Sequence, residues 1–438
     1  MSIDLKDTFL LNMPDHWEVS RIKKIAKCTV GIATSTTHAY CDDGVLLLRN
    51  QNIKNGKIAL DDVLYIKPEF DLQNKSKRLK AGDIITVRTG YPGVSAVVPK
   101  ELEGSQSFTT LIIRLNDADI SSEFLCYYIN SENGKRFFKD NQAGGGQQNV
   151  GSKTLENMTI PLPPLPEQQK IAEILSTVDA KIEIIDQQIS ETSALKKGLM
   201  QQLLSGKLSV VKNRLLSEAE MKDSVLGRIP ESWEVVKIQD LLDKKRIISH
   251  LDGNHGGLYP KANEFITEGV PYIGANSFVN GKVDFSKCKY LSEERSLKFK
   301  KGVAKNGDVL FAHNATVGPV AFLETELDFV ILSTTATYYR LDNKTIDAKY
   351  WLCFLSSPKF RNQYEKVMGQ STRNQVPITM QRSFSSVIPS FKEQKKISEI
   401  LSSVDDKLQV LSEKKVTYQE LKQGLMQQLL TGKVRVKV

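Results

Sequence analysis

The chain has 438 residues, a formal net charge of +9, 40% hydrophobic and 25% charged residues, enough for about three globular domains with sizeable cores. No run of about 18 apolar residues exists, and the first residues lack the basic-then-apolar pattern of a signal peptide, so neither a membrane span nor a leader is expected. Five scattered cysteines without a CxxC pair argue against a disulfide framework or structural zinc and for a reducing cytoplasm, while the positive excess favours an anionic partner, nucleic acid first.

Residues 1–160 read as a globular module. Short β-branched runs at Val45–Leu48, Asp83–Val87 and Thr110–Ile113 predict strands, and Ser122–Asn130 predicts a helix, together an α/β or α+β domain. Lys67, Lys75, Lys77, Arg78 and Lys80 form a basic stretch suited to phosphate contact. Planar amides and guanidinium groups on loops are what base edges require. Arg49-Asn50-Gln51-Asn52 is one such set, Arg88 lies near a Gly-rich turn, and Gln147-Gln148-Asn149 follows three glycines.

Residues 161–207 predict a long helix. Leu175, Val178, Ile182, Ile185, Ile189, Leu199 and Leu203 fall at steps of three and four, with Thr192 and Lys196 as polar steps. This is the seam of a coiled coil. Ile171 and Ile174 widen the stripe and suggest further helices from a partner. Pro166 suits the first turn and Gly206 the C′ position. Residues 208–227 read as a linker.

Residues 228–388 repeat the module. Strands are predicted at Asp308–Phe311 and Phe329–Leu332 and a helix at Ala348–Leu355. Its basic stretch holds Lys289, Arg295, Lys298, Lys300, Lys301 and Lys305. Its base-edge candidates are Asn276-Ser277, His313-Asn314 and Thr372-Arg373-Asn374. Residues 389–438 predict a second long helix with seam positions Leu401, Val404, Leu408, Leu411, Leu425 and Leu429, started by a Ser390/Glu393 capping box and ended at Gly432. Gly198 and its twin Gly424 lie inside the helices and suggest a kink or close crossing.

The chain is therefore an internal repeat. Residues 167–207 match residues 393–433 at an offset of 226, with 22 of 41 positions identical. Pro14/Trp17 pair with Pro230/Trp233, and Asn55-Gly56-Lys57, Gly82-Asp83 and Gly93 with Asn280-Gly281-Lys282, Gly307-Asp308 and Gly318. The helices are far more alike than the modules, so the helices share one job and the modules do two different jobs of one kind. At 1.5 Å per residue each helix is a rod of about 60 Å. The short linker makes the second rod run back along the first, so the rods are expected to pair antiparallel and relate the modules by a pseudo-two-fold.

Catalytic motifs are missing. No GxxxxGK[ST], helix-opening GxGxxG, HExxH or Asn/Asp-Pro-Pro-aromatic motif occurs. His250 and His255 are expected in a polar loop rather than a metal site. Asp179-Ala180-Lys181 and Asp405-Asp406-Lys407 are expected as solvated rod face.

This plan resembles the specificity subunit of type I restriction-modification systems. The resemblance is carried by Pro161 through Gln168, Ile171-Ala172-Glu173-Ile174-Leu175, Val178-Asp179 and Leu195 through Gly206, by their second copy from Ile388 to Gly432, and by the module starts at Pro14/Trp17 and Pro230/Trp233. It implies two target recognition domains, each reading one half of a bipartite site in double-stranded DNA. The rods are then the ruler for the unread spacer, and dock two methyltransferase subunits. The restriction endonuclease/translocase subunits join them. The chain would be non-catalytic and bind no cofactor or metal; S-adenosylmethionine, ATP and Mg²⁺ belong to the partners. A related type II system built on the same modules is the alternative.

Overall fold

The computed structural model describes residues 13–116, 118–141, 149–369 and 374–437. The chain divides into two compact units. The first comprises residues up to Asp186 together with those from Glu413 onward, and the second comprises Gln187–Ser412. Each unit thus holds one module, the beginning of the rod that follows it and the end of the other rod.

In the first unit, two four-stranded sheets form the module. One runs in the order Gln106–Ser107, Val45–Leu48, Leu64–Ile66, Tyr40–Cys41, the other Ala26–Val30, Leu111–Leu115, Ile84–Thr86, Ser95–Val97. In the second sheet Ile113 pairs with both Cys28 and Ile84, antiparallel on each side. All three residues of Ile84–Thr86 are buried, as expected of a central strand covered on both faces. Helix Ser122–Asn130 starts where Ser121 Oγ accepts Phe124 N–H at 3.2 Å and buries Phe124, Leu125, Tyr128 and Ile129. The core continues from these onto Trp17, Leu175 and Leu429.

The second unit carries larger sheets. Six strands run in the order Ile247–Asp252, Ala336–Leu341, Val309–Ala312, Val320–Phe322, Gly281–Val283, Phe278–Val279, and five more Phe265–Ile266, Lys289–Leu291, Val270–Ile273, Val330–Leu332, Val303–Ala304. Helix Ala348–Leu355 is capped by Asp347, whose Oδ1 accepts Tyr350 N–H at 2.8 Å. In the stretch expected as a linker, Leu208–Ser209 pairs antiparallel with Arg214–Leu215, and Met221–Lys222 pairs with Ile229–Pro230 at the start of the second module.

Both modules are built around one buried ion pair at equivalent positions. Asp83, 2% exposed, accepts Arg114 Nε at 2.8 Å; Asp308, equally buried, accepts Arg340 Nε at 2.9 Å. Each carboxylate also takes the N–H three residues before it, from Lys80 and Lys305, so its lone pairs are satisfied as burial of a charge requires. This explains the repeated Gly-Asp: Gly82 and Gly307 sit at φ +83° and +86°, a region glycine enters without a Cβ penalty, and the aspartate closes the turn.

The rods span Leu165–Leu204 and Phe391–Leu429. Their repeated Glu-Gln opening has a structural meaning. Gln168 Oε1 accepts Ser121 N–H at 2.9 Å and its amide donates to Pro163 O at 2.8 Å; Gln394 does the same with Asp347 N–H and Pro389 O, both at 2.9 Å. Each buried glutamine therefore ties rod start to module helix. The glutamate before it receives the module's opening tryptophan: Trp17 Nε1 donates to Glu167 at 3.1 Å and Trp233 Nε1 to Glu393 at 3.4 Å. Glu167 also accepts from His16 and from Arg435 near the chain's end. Burial alone would raise its carboxyl pKa; these donors outweigh burial and hold it low. The Ser390/Glu393 capping box is present, with Ser390 Oγ donating to Glu393 at 2.8 Å and accepting its N–H at 3.4 Å.

The rod ends match the expected C′ glycines. Gly206 (φ +74°) and Gly432 (φ +73°) are left-handed, and a Cβ on them would collide with Pro230 and Pro14 respectively. The Leu-Leu-x-Gly-Lys repeat thus belongs with the Pro-x-x-Trp repeat: each rod end packs on a module start. Gly198 and Gly424 do not support a close crossing, because a Cβ on either would meet open space.

Within each unit the two rod segments run antiparallel. Lys415 pairs with Asp186 and Lys422 with Asp179, each at 2.6 Å, in the first unit, and Lys196 with Asp405 at 2.5 Å in the second. In the first unit both pairs share one antiparallel register. Leu175, Val178, Ile185, Leu401, Val404 and Leu411 of the expected seam are buried, and Ile182, Ile189 and Leu408 are half-buried. Each fully buried leucine contributes roughly 1.5–3 kcal/mol relative to exposure. Asp179 and Asp405 are therefore not simple solvated face; they are inter-rod ion-pair partners.

Candidate nucleic-acid interface

In the first module the chain brings together loops 100 residues apart. Asn52 shapes the loop after Val45–Leu48: its Oδ1 accepts Arg49 N–H at 2.9 Å, and its amide donates to Ala59 O at 3.0 Å and Asp62 O at 2.8 Å. It is 2% exposed and unavailable to a base edge. Arg49 ion-pairs with Asp62 at 3.0 Å, and the amide of exposed Gln51 donates to the same carboxylate. Asn50 donates to Thr89 Oγ1 at 3.0 Å, Tyr91 donates to Asn50 O at 2.9 Å, and Arg88 Nε donates to Asn149 Oδ1 at 3.0 Å. Arg49, Asn50, Gln51, Arg88 and Asn149 thus belong to one cluster of bonded loops. Asp62, Thr89 and Tyr91 are members that sequence reasoning missed. Gln147 and Gln148 lie outside the described residues.

The second module repeats the frame with other side chains. Ala275 N–H donates to Thr335 Oγ1 at 2.9 Å and His313 N–H to Thr335 O at 3.0 Å, so one threonine joins the two loops. Ala315 N–H donates to Asn374 O at 3.0 Å, and Asn314 bridges to Gln375, the twin of the Thr89–Asn149 bridge. Ala315 holds φ +63° where the first module has Gly90 at +84°; keeping a left-handed turn with a Cβ costs of order 1–2 kcal/mol, so the turn's shape is retained at a cost. Asn276 and Asn374 are exposed and Asn314 is half-exposed. Ser277 and His313 are buried. Ser277 Oγ donates to Gly274 O at 2.7 Å and His313 Nδ1 bonds Val376 O at 3.2 Å, so these two hold the loops rather than face a ligand. Thr372 and Arg373 lie outside the described residues.

The basic stretches divide likewise. Lys75, Lys298, Lys300 and Lys301 are exposed and Lys77 is half-exposed. Arg78 is committed inward: its Nε lies 3.1 and 3.0 Å from the two oxygens of Asp71, which is 1% exposed and also accepts Gln106 Nε2 at 2.8 Å. Burial would raise the Asp71 carboxyl pKa, but the bonds from Arg78 and Gln106 hold it below the ordinary value. Arg295 is similarly held, donating to Glu264 at 2.5 Å and to Leu258 O at 2.7 Å.

The histidines of the Gly/Asn segment are not loop residues in solvent. His250 lies on strand Ile247–Asp252, 1% exposed, stacked on Tyr339 at 4.1 Å and bonded to Gln381 Oε1 at 3.1 Å. Burial, then the charge of Arg382, pushes its pKa down to about 3. His255 is 8% exposed and bonds Leu332 O at 2.7 Å. Among the described residues no group of three or more His, Cys, Asp or Glu could hold a metal ion, and no helix is long and apolar enough to cross a membrane.

The rods present a second repeated surface. Ile184 and Leu195 are 48% and 53% exposed, and their twins Val410 and Leu421 are 60% and 47% exposed. Apolar side chains exposed twice at equivalent positions mark a contact surface more than scattered ones do.

Comparison with known proteins agrees with this architecture. The family model for the type I restriction modification DNA specificity domain matches residues 14–192 and 230–422. The chain is 26% identical to the type I restriction enzyme MjaVIII specificity subunit of Methanocaldococcus jannaschii, over 99% of this chain and 96% of that one. It is 24% identical to the EcoKI specificity subunit of Escherichia coli, over 88% and 81%. The fold is similar to that of the type I restriction-modification S subunit from M. genitalium, with a TM-score of 0.60, 15% identity and coverage of 95% and 96%. With both modules and both rods matched, the chain belongs to the type I restriction-modification DNA specificity family, as a specificity subunit.

Proposed function

We propose that this chain is the non-catalytic reader of a type I restriction-modification complex, each module recognising one half of a bipartite site in double-stranded DNA. One observation carries this reading: two loop clusters occupy the same repeat positions on the same frame and display different side chains. Asn50 and Gln51 in the first module stand where the second has Ala275 and Asn276, and the Thr89–Asn149 bridge stands where it has Asn314–Gln375. A common frame suits a common ligand, and different side chains suit different base sequences. The exposed lysines supply phosphate contacts and position.

In this reading the antiparallel rods set the length of the unread spacer. Their exposed apolar twins dock two methyltransferase subunits, and endonuclease/translocase subunits complete the restricting assembly. S-adenosylmethionine, ATP and Mg²⁺ are carried by those partners, in the cytoplasm. The relatives named as specificity subunits and the paired modules support this assignment over a stand-alone nuclease or methyltransferase.

The test is reconstitution with the methyltransferase subunits followed by methylation mapping. The expected result is a motif of two short specified blocks separated by a fixed spacer. Asn149→Ala should relax specificity in one block only, by about 1–3 kcal/mol at a contacted base pair. A continuous motif, or equal relaxation in both blocks, would refute the reading.

A further inference from the structure

The internal repeat allows one unit to show what the other lacks. Helices Ser122–Asn130 and Ala348–Leu355 are anchored alike, by cap residues Ser121 and Asp347 and by rod glutamines Gln168 and Gln394. Counting from those anchors, Tyr127 and Cys353 are twins. The rod residues beside them are twins too: Asp179 with Lys422 in the first unit, Asp405 with Lys196 in the second.

In the first unit Tyr127 completes this arrangement. Its hydroxyl donates to Asp179 Oδ2 at 2.8 Å, and Lys422, itself bonded to Asp179, lies 5.5 Å from the centre of the ring. Burial, then the bond to Asp179, pushes the phenol's pKa upward, so it stays a donor. The Lys422 side chain is 13% exposed and that of Asp179 24%.

In the second unit the same rod pair stands more open, with Lys196 33% and Asp405 46% exposed. Cys353 is too short to cross the space that a tyrosine would fill. A crevice of about 810 Å³ lies there, lined by Cys353, Lys196, Met200, Asp405, Lys282 and Tyr364 among others. That volume accommodates an aromatic side chain. Burial, then the charge of Asp405, pushes the Cys353 thiol up to about 12.

We propose that this crevice receives a tyrosine side chain from the methyltransferase-type partner that docks on the second unit, its hydroxyl donating to Asp405 and its ring lying beside Lys196. The inference rests on the docking role proposed above and deepens it: the first unit carries its own aromatic plug, while the second takes one from its partner. The two docking sites on this chain are then chemically unequal. The aromatic ring and hydroxyl are specified by Tyr127, which makes the same contacts with the same rod residues in the same chain. The contact suits a polarised ring edge, a carboxylate acceptor and a cation over the ring face.

The decisive variant is Cys353→Tyr in the full chain, which supplies the plug internally. The expected result is a chain with an unchanged or raised melting temperature that binds its second methyltransferase copy at least about tenfold more weakly, read by calorimetry and native mass spectrometry. Cys353→Ala leaves the crevice open and should bind both copies normally. Two copies bound to Cys353→Tyr with unchanged affinity, or a loss with Cys353→Ala, would overturn the proposal. Saturation-transfer NMR with p-cresol as probe tests the crevice without the partner. Transfer to wild type and its loss in Cys353→Tyr are expected, and equal transfer or none would overturn the site. Wild type that binds p-cresol but no methyltransferase subunit would instead sink the docking role and this tyrosine donor with it, leaving only an aromatic-binding crevice.

Discussion

The two units share a skeleton and differ in what hangs on it. Asp83–Arg114 and Asp308–Arg340, Gln168 and Gln394, Gly432 on Pro14 and Gly206 on Pro230 are one set of devices used twice. At the loops, and where the module helix meets the rods, the copies part: Arg88 against His313, Gly90 against Ala315, Tyr127 against Cys353. Buried ion pairs, the rod glutamines and the glycines packed on proline recur unchanged, because a buried charge or a crowded turn has few substitutes. Positions that differ are of two kinds: exposed ones such as Gln51 against Asn276, and ones that hold a loop, such as His313.

The skeleton offers the largest test. Arg340→Met leaves Asp308 buried without its guanidinium partner, and Arg114→Met does the same to Asp83. Removing one member of a buried pair costs about 3–5 kcal/mol. Each variant should destabilise its own unit by that amount and leave the other nearly unchanged, as read by peptide-resolved hydrogen exchange under native conditions. A loss below about 1 kcal/mol in either unit would mean the shared pair does not support both modules equally.

Acid should separate the units by a smaller amount. His250, His255 and His313 are all buried in the second unit, and burial lowers the pKa of each, His250 to about 3. The first unit's His16 and His38 are exposed. A histidine harder to protonate when folded leaves the unfolded chain holding more protons below about pH 6.5, so stability falls as pH falls. For His250 the fall continues toward its folded value near 3 and amounts to roughly 2 kcal/mol by pH 5. The second unit should therefore open first when pH is lowered from 7 to 5. Equal loss in both units would show that the buried histidines do not control it.

Much of this was readable before any coordinates. Helices Ser122–Asn130 and Ala348–Leu355 and strand Val45–Leu48 follow from local caps and runs of apolar residues. The rods follow from their seam, and their direction from the short connection between copies. What stayed hidden depends on partners far along the chain. Asp71 becomes a structural anion only because Gln106 and Arg78 converge on it, which takes Arg78 out of the basic surface. Asp179 reads as solvated until Lys422 is brought back against it by the second rod. His250 sits in a segment whose Gly and Asn residues suggest a loop, but Ile247 and Ile248 carry a strand into it and Gln381 meets it from 131 residues away. In the candidate loops the repeat paired positions of the two modules, such as Thr89 with Asn314. It could not say which member of each, such as Asn52 or Ser277, turns inward to hold the loop's shape.

The smallest expected effect distinguishes positioning from reading. Lys300 and Lys301 are exposed in the second unit's basic stretch, and Lys75 in the first. A lysine that neutralises one phosphate adds about 0.9 to the slope of log affinity against log salt, whatever the sequence bound. Lys300→Ala and Lys75→Ala should therefore each flatten the salt dependence of duplex binding by up to that amount and leave the methylated motif unchanged. Asn374→Ala should do the reverse, leaving the slope alone and relaxing one position in the second unit's block. If the lysine variants alter the motif, or the asparagine variant alters only the slope, the division between a shared phosphate-gripping skeleton and private reading loops is wrong.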